Sequence, residues 1–172
     1  MKRIVAMLVI VVCLLGCLTG CHKKPEIQYS KDKIAPPELT VSCGTERVKT
    51  LRGSTSWQYL VGENEWDGEE KDDINPLLSK DQLPCLSFTE TDEKLILTLE
   101  FDIAPIDVFA MRWDTSDFGD VTAEGEDLWV KDGTIELSKT ESIYEISARW
   151  YTNEGNKLQG MIYYSFYTEK VS

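Results

Sequence analysis

Apolar side chains recur at every second position through most of this chain, and that period limits the folds it can reach. Thr55, Trp57, Tyr59 and Val61 alternate with smaller or polar residues, and Leu95, Leu97, Leu99 and Phe101 alternate with Ile96, Thr98 and Glu100. Successive side chains of a strand point to opposite faces, so each run reads as a strand with one face buried. Val108 to Trp113, Leu128 to Val130 and Thr134 to Leu137 give further runs. Tyr144, Ile146, Ala148 and Trp150 share one face of the next, with Glu145, Ser147 and Arg149 on the other. Asp132-Gly133 is a hairpin dipeptide ahead of Thr134, and Asn153-Glu154-Gly155-Asn156 turns the chain into Met161 to Thr168. No window sustains a helical stripe; Asn75 to Leu83 suits a short turn only.

At least seven short strands punctuated by turns predict an all-β fold, an antiparallel immunoglobulin-like β-sandwich of about seven strands. A local signal sharpens this. Leu137, a short polar turn and Tyr144-Glu145-Ile146-Ser147-Ala148 look like the corner between strands E and F of such domains, where a tyrosine hydroxyl bonds back to upstream backbone. An ordinary strand tyrosine is the alternative, since tyrosine is common in strands.

The first twenty residues belong to a different physical regime. Lys2 and Arg3 precede Ile4 to Leu18, an apolar stretch of 15 residues, and Leu18-Thr19-Gly20-Cys21 follows. A basic start, an apolar core and small residues at the exit make a secretory signal, and the stretch is shorter than the roughly 20 residues a spanning helix needs. Leu18-Thr19-Gly20-Cys21 resembles the lipobox of bacterial lipoproteins, in which the cysteine is acylated and becomes the new N-terminus. Leu14-Leu15-Gly16-Cys17 is a poorer processing site, because a bulky Leu stands where a small or β-branched residue is usual. Residues 1–20 are therefore expected to be a lipoprotein signal peptide, 21–37 the lipidated Cys21 and a flexible linker, and 38–172 the β-sandwich. The linker expectation rests on polar residues, three prolines and no sustained period. Several acyl chains hold firmly where a single one is marginal, so the expected location is the extracytoplasmic face of a bacterial cell membrane.

Cleavage after Gly20 removes two positive charges and no acid, moving the formal net charge from −12 to −14. Such an acidic body, whose longest basic run is His22-Lys23-Lys24, argues against nucleic acid as a partner. That triplet, next to the acylated residue, suits anionic headgroups. The only histidine is His22, which excludes Ser-His and Cys-His catalysis within the fold. Cys13 and Cys17 leave with the signal and Cys43 and Cys85 remain, an even pair in an oxidising compartment and hence a candidate disulfide; two buried free thiols are the alternative.

Further short motifs recur together. Arg52-Gly53 with Ser56-Trp57, Arg112-Trp113-Asp114 with Ser116 and Gly119, Asp132-Gly133, Ile143-Tyr144-Glu145 with Ala148 and Trp150, and Tyr163-Tyr164 with Phe166 span roughly Leu51 to Glu169. In these the chain resembles a set of Gram-positive surface lipoproteins and membrane-protein ectodomains without an assigned activity. The resemblance implies a fold and a location, and no catalytic residues. The chain departs from that set at Ser54-Thr55, where an aromatic is more usual, and in a long acidic insert.

That insert, 63–73, holds seven carboxylates in eleven residues. Glu63, Glu65, Asp67 and Glu69 are candidate ligands for calcium, a cation that takes six to eight oxygens. The pattern fails at Ile74, where an EF-hand loop carries its bidentate Glu, and a solvated hairpin tip is the blander expectation. Asp114, Asp117 and Asp120 read as turn chemistry. Trp57, Trp113 and Trp150 fall on apolar faces and are expected in the core. Trp66 and Trp129 lie in polar surroundings, where each either offers a platform to a partner or folds back over the sandwich edge. The functional expectation is a lipid-anchored, non-catalytic binding, interaction or sensing module for an unknown protein or small ligand. It needs no cofactor, and its alternative is a calcium-dependent surface module.

Overall fold

The computed structural model describes residues 33–72, 75–89, 95–152 and 157–171. The signal peptide, Cys21, the linker up to residue 32, Asp73, Ile74 and the 153–156 turn fall outside the described residues. Among the described residues there are eleven strands: β1 (Leu39–Cys43), β2 (Glu46–Lys49), β3 (Leu51–Leu60), β4 (Trp66–Lys71), β5 (Cys85–Thr89), β6 (Ile96–Phe101), β7 (Asp107–Asp114), β8 (Glu126–Leu128), β9 (Thr134–Glu136), β10 (Ser142–Trp150) and β11 (Leu158–Val171). They form a four-stranded sheet, β2-β1-β6-β9, and a larger one, β4-β3-β11-β10-β7-β8, to whose β11 the strand β5 adds in parallel. Every other pairing is antiparallel.

The last seven strands, β5 to β11, carry the immunoglobulin-like arrangement. β6 pairs β9 as strand B pairs E, and β8, β7, β10 and β11 lie side by side in the order C′, C, F, G. The seven runs read from the sequence are a different set, β3 and β6 to β11, so the observed strands exceed the expected count of about seven by β1, β2, β4 and β5. Two hairpins precede the frame in the chain: β1-β2 widens the small sheet beside β6, and β3-β4 widens the large sheet beside β11.

The corner expected at Tyr144 is formed. Its ring is fully buried and stacked on Phe166, with centroids 5.0 Å apart, and its hydroxyl accepts a hydrogen bond from the backbone N–H of Ser138 at 3.2 Å. Ile146, two residues on, stands where antibody domains place the second cysteine of the inter-sheet disulfide. Here that position is aliphatic and packs in one cluster with Leu97 and Leu99 of the facing sheet.

Trp57, Trp113 and Trp150 are buried as expected. Trp57 meets Trp150 edge to face at 5.5 Å, and Phe101 meets both Trp150 and Tyr164 in the same manner at 6.1 and 5.8 Å. Such pairs add about 0.5–1.5 kcal/mol each beyond burial. Large polar-tipped rings need partners when they are buried, and here the chain ahead of β1 supplies them. The Trp57 indole N–H donates to the Ile34 carbonyl at 2.9 Å, the Tyr164 hydroxyl to the Pro37 carbonyl at 2.8 Å, and Arg52 to the Pro36 carbonyl at 3.2 Å. Pro36 and Pro37 are buried and Ile34 packs against the core. Residues 34–37, expected to be flexible linker, are therefore a fastened strap and part of the folded body.

A second, smaller core lies on the outer face of the large sheet. Trp113 and Ile143 are covered there by Leu77 and Leu83 from the segment between β4 and β5. The short turn expected in that segment is a single 3-10 turn, Pro76–Leu78, capped by the Asn75 side chain, which accepts from the Leu77 N–H at 2.8 Å.

Candidate binding cleft

Trp129 emerges between β8 and β9, where one edge of each sheet comes to the same side of the sandwich. Its neighbours Leu128 and Val130 both pack against the core. In extended chain the residue between two inward side chains must point outward, and Trp129 is 84% exposed. The segment is held in place by the next turn. Asp132 and Gly133 take positive φ values of 50° and 71°, and Lys131 and Thr134 exchange backbone hydrogen bonds of 3.0 and 2.9 Å. A two-residue loop with both central residues at positive φ is the type I′ hairpin that the Asp-Gly pair favours. Of the two readings left open by the sequence, folding back over the edge is ruled out for this side chain.

Beside Trp129 the edges enclose a cleft of about 700 Å³. Arg112, Lys131 and Lys139 balance Glu126, Asp127 and Glu136 along its walls, so it is locally neutral in a chain of net charge −12. Arg112 pairs with Glu126 across β7 and β8. Arg112 has the inward parity of Ala110, and it lines the cleft. Sequence reasoning did not place Arg112, Lys131 or Lys139 on a binding surface, because which edges lie together depends on pairings between residues far apart in the chain.

The acidic insert is arranged differently from the expected loop. Trp66–Lys71 is the edge strand β4, paired with β3. Its alternation separates Asp67 and Glu69 from Trp66 and Glu70. Both Asp67 oxygens are engaged, one by the Tyr59 hydroxyl at 2.8 Å and the other by the Gly68 N–H at 2.8 Å, and Glu69 lies 3.4 Å from Arg52. The Tyr59 hydrogen bond, with that of Gly68, holds the Asp67 carboxyl below the usual carboxylate range. The structure thus corrects the calcium reading of Glu63, Glu65, Asp67 and Glu69, which do not converge. Among the described residues no group of three or more His, Cys, Asp or Glu side chains is placed to hold a metal ion. Trp66, on the outer face of β4, is 38% exposed, less than half the exposure of Trp129. Asp114 accepts from the Ser116 N–H at 2.8 Å, and Asp120 from the Thr122 N–H and hydroxyl at 2.9 and 2.6 Å, which is turn chemistry.

The candidate disulfide is also corrected, since Cys43 and Cys85 are free thiols. Cys43 shares the inward parity of Leu39 and Val41 on β1. Cys85 has the opposite parity to the buried Leu86 and Phe88 of β5, and its thiol donates to Glu169 at 3.7 Å. Side chains that leave opposite sides of the layers cannot be bridged without moving backbone. Burial pushes both thiols above their ordinary values, which keeps them protonated and unreactive.

The chain matches no protein-family model, no curated protein and no solved structure.

Proposed function

We propose that this chain is a bacterial surface lipoprotein, acylated on Cys21, whose β-sandwich is a non-catalytic binding module that seats its ligand on Trp129. Trp129 carries the proposal: a rigidly held, almost fully exposed indole over a sizeable cleft serves no purpose in folding, and exposed aromatic anchors are what interfaces use. The motifs shared with Gram-positive surface lipoproteins and the Leu18-Thr19-Gly20-Cys21 tetrad support the location.

The position of the strap agrees with this. Residues 34–37 are fastened to β3 and β11, and the cleft opens at β8 and β9. From β3 to β8 is four steps in the large sheet, about 19 Å at the usual strand spacing. The thirteen residues from Cys21 to Ile34 reach at most about 45 Å, so the body stays near the bilayer with the cleft on the edge away from its tether.

Capture from native bacterial membranes by the tagged lipoprotein tests both parts. Wild-type chain and Trp66→Ala are expected to retain the same partner, Trp129→Ala to lose it, and Cys21→Ala to leave the membrane fraction. Capture unaffected by Trp129→Ala would remove the cleft from the proposal, and a membrane-bound Cys21→Ala would remove the anchor.

A further inference from the structure

The cleft beside Trp129 is bordered by backbone as well as by side chains, and the two borders differ. Across β7 and β10, Thr115 donates its N–H to the Glu141 carbonyl at 3.4 Å, in the same register that pairs Trp113 with Ile143 and Met111 with Glu145. Peptide groups of an antiparallel strand face alternate neighbours, so Trp113 and Met111 turn theirs to β10, and Arg112 and Ala110 turn theirs to β8. Glu126 and Leu128 are the β8 partners of Arg112 and Ala110. Asp127 therefore directs its N–H and C=O away from the sheet, and among the described residues no strand lies beyond β8. Trp129, the next residue of that parity, does the same. On the opposite border, the Thr134 N–H and C=O are taken by Lys131, and the Ser138 N–H by the Tyr144 hydroxyl. The open hydrogen-bonding edge at this cleft is that of β8, and an open edge is a template for another strand.

The side chains define which strand suits it. Leu128, Ile135 and Leu137 line the cleft, the last two fully buried at its base, and Ile96 beside them is 39% exposed. On the other face of β8, Asp127 is an exposed carboxylate and Trp129 an exposed indole, whose ring face attracts cations. The cleft is itself charge-balanced, so the net charge of −12 on the chain sets the sign of the partner it draws in. The same charge sets a second copy of this chain at a disadvantage.

We propose that β8 takes up an extended, basic segment of a partner protein as an added strand. Peptide groups of that segment pair with Asp127 and Trp129. Its side chains alternate: an aliphatic one on the Leu128 side enters the cleft, and Lys or Arg on the other side lies along Asp127 and the Trp129 indole. The inference rests on Trp129 being the seat of the ligand, and adds the mode of binding and the kind of partner.

Fluorescence anisotropy of a labelled peptide, acetyl-Thr-Lys-Val-Lys-Val-Lys-Thr-amide, with the full-length lipoprotein in detergent tests it. Saturable binding is expected, at least about tenfold tighter than for the peptide with Gln in place of Lys. N-methylation of the Lys residues, whose N–H groups face β8, is expected to abolish binding, and N-methylation of the Val residues to spare it. Asp127→Pro removes the outward N–H without taking a ladder bond from β7, and is expected to weaken the peptide about tenfold or more, Asp127→Ala less. Should Asp127→Pro fail to fold, the two N-methylated peptides decide. Absence of saturable binding, equal affinity for the Gln peptide, or indifference to the position of N-methylation overturns the proposal. So does displacement of the peptide by maltohexaose, which gives the cleft to a sugar, or a concentration-dependent dimer broken by Asp127→Pro, which gives the edge to a second copy. Failure of the peptide with Trp129-dependent capture intact condemns the added strand alone; capture indifferent to Trp129→Ala condemns the seat itself.

Discussion

Asp67 shows how a single side chain can change meaning between sequence and structure. In the sequence it is one acid among seven; in the fold both of its oxygens are taken, by Tyr59 and Gly68. Its lowered pKa has a definite sign. The stability it adds is fully present above the ordinary carboxylate value and is lost as pH falls through the lowered one. Asp114 and Asp120, lowered by Ser116 and Thr122, act in the same direction. The melting temperature is expected to fall on acidification below the ordinary carboxylate range, and Asp67→Asn to flatten part of that fall and leave the neutral-pH fold intact. A pH series of thermal melts for the two proteins checks this; identical acid limbs would show that the Tyr59 contact does not contribute.

At the scale of elements, the strands with a clear apolar alternation were legible, and so was the corner at Tyr144, because both are local. β4 was not. Trp66–Lys71 has hardly any apolar side chains to alternate, and its extended form comes from backbone pairing with β3 and from Tyr59 and Arg52 reaching across to it. The strap was hidden for a similar reason: prolines and polar residues at 34–37 read as spacer, and only the distant Trp57, Arg52 and Tyr164 give their carbonyls a role. Removing residues up to 33 is expected to leave the urea midpoint of the remaining body in place. Removing them through Pro37 strands three donors and is expected to cost on the order of 3 kcal/mol. Equal midpoints for the two truncations would mean that the strap is not fastened in solution.

For the molecule as a whole, the even pair of cysteines suggested a covalent staple, and the fold dispenses with one. Parity decides it: Cys43 faces inward and Cys85 outward, with Ile146 filling the place of an inter-sheet disulfide. Thermal melts with and without reductant are expected to coincide, and thiol titration after unfolding to find both Cys43 and Cys85 reactive; a reductant-sensitive midpoint would show a bridge after all. The binding surfaces were legible only in part. Trp129 could be picked out by its polar surroundings, whereas the cleft beside it exists only because strands far apart in the chain become neighbours.

The path from strap to cleft has a mechanical side. The strap runs directly into β1, β1 is laddered to β6, β6 to β9, and β9 follows the tight turn that holds Trp129. A tug entering at Ile34 and resisted at Trp129 therefore falls first on the bonds that fasten the strap to β3 and β11, and beyond them on the crosswise ladders of the small sheet.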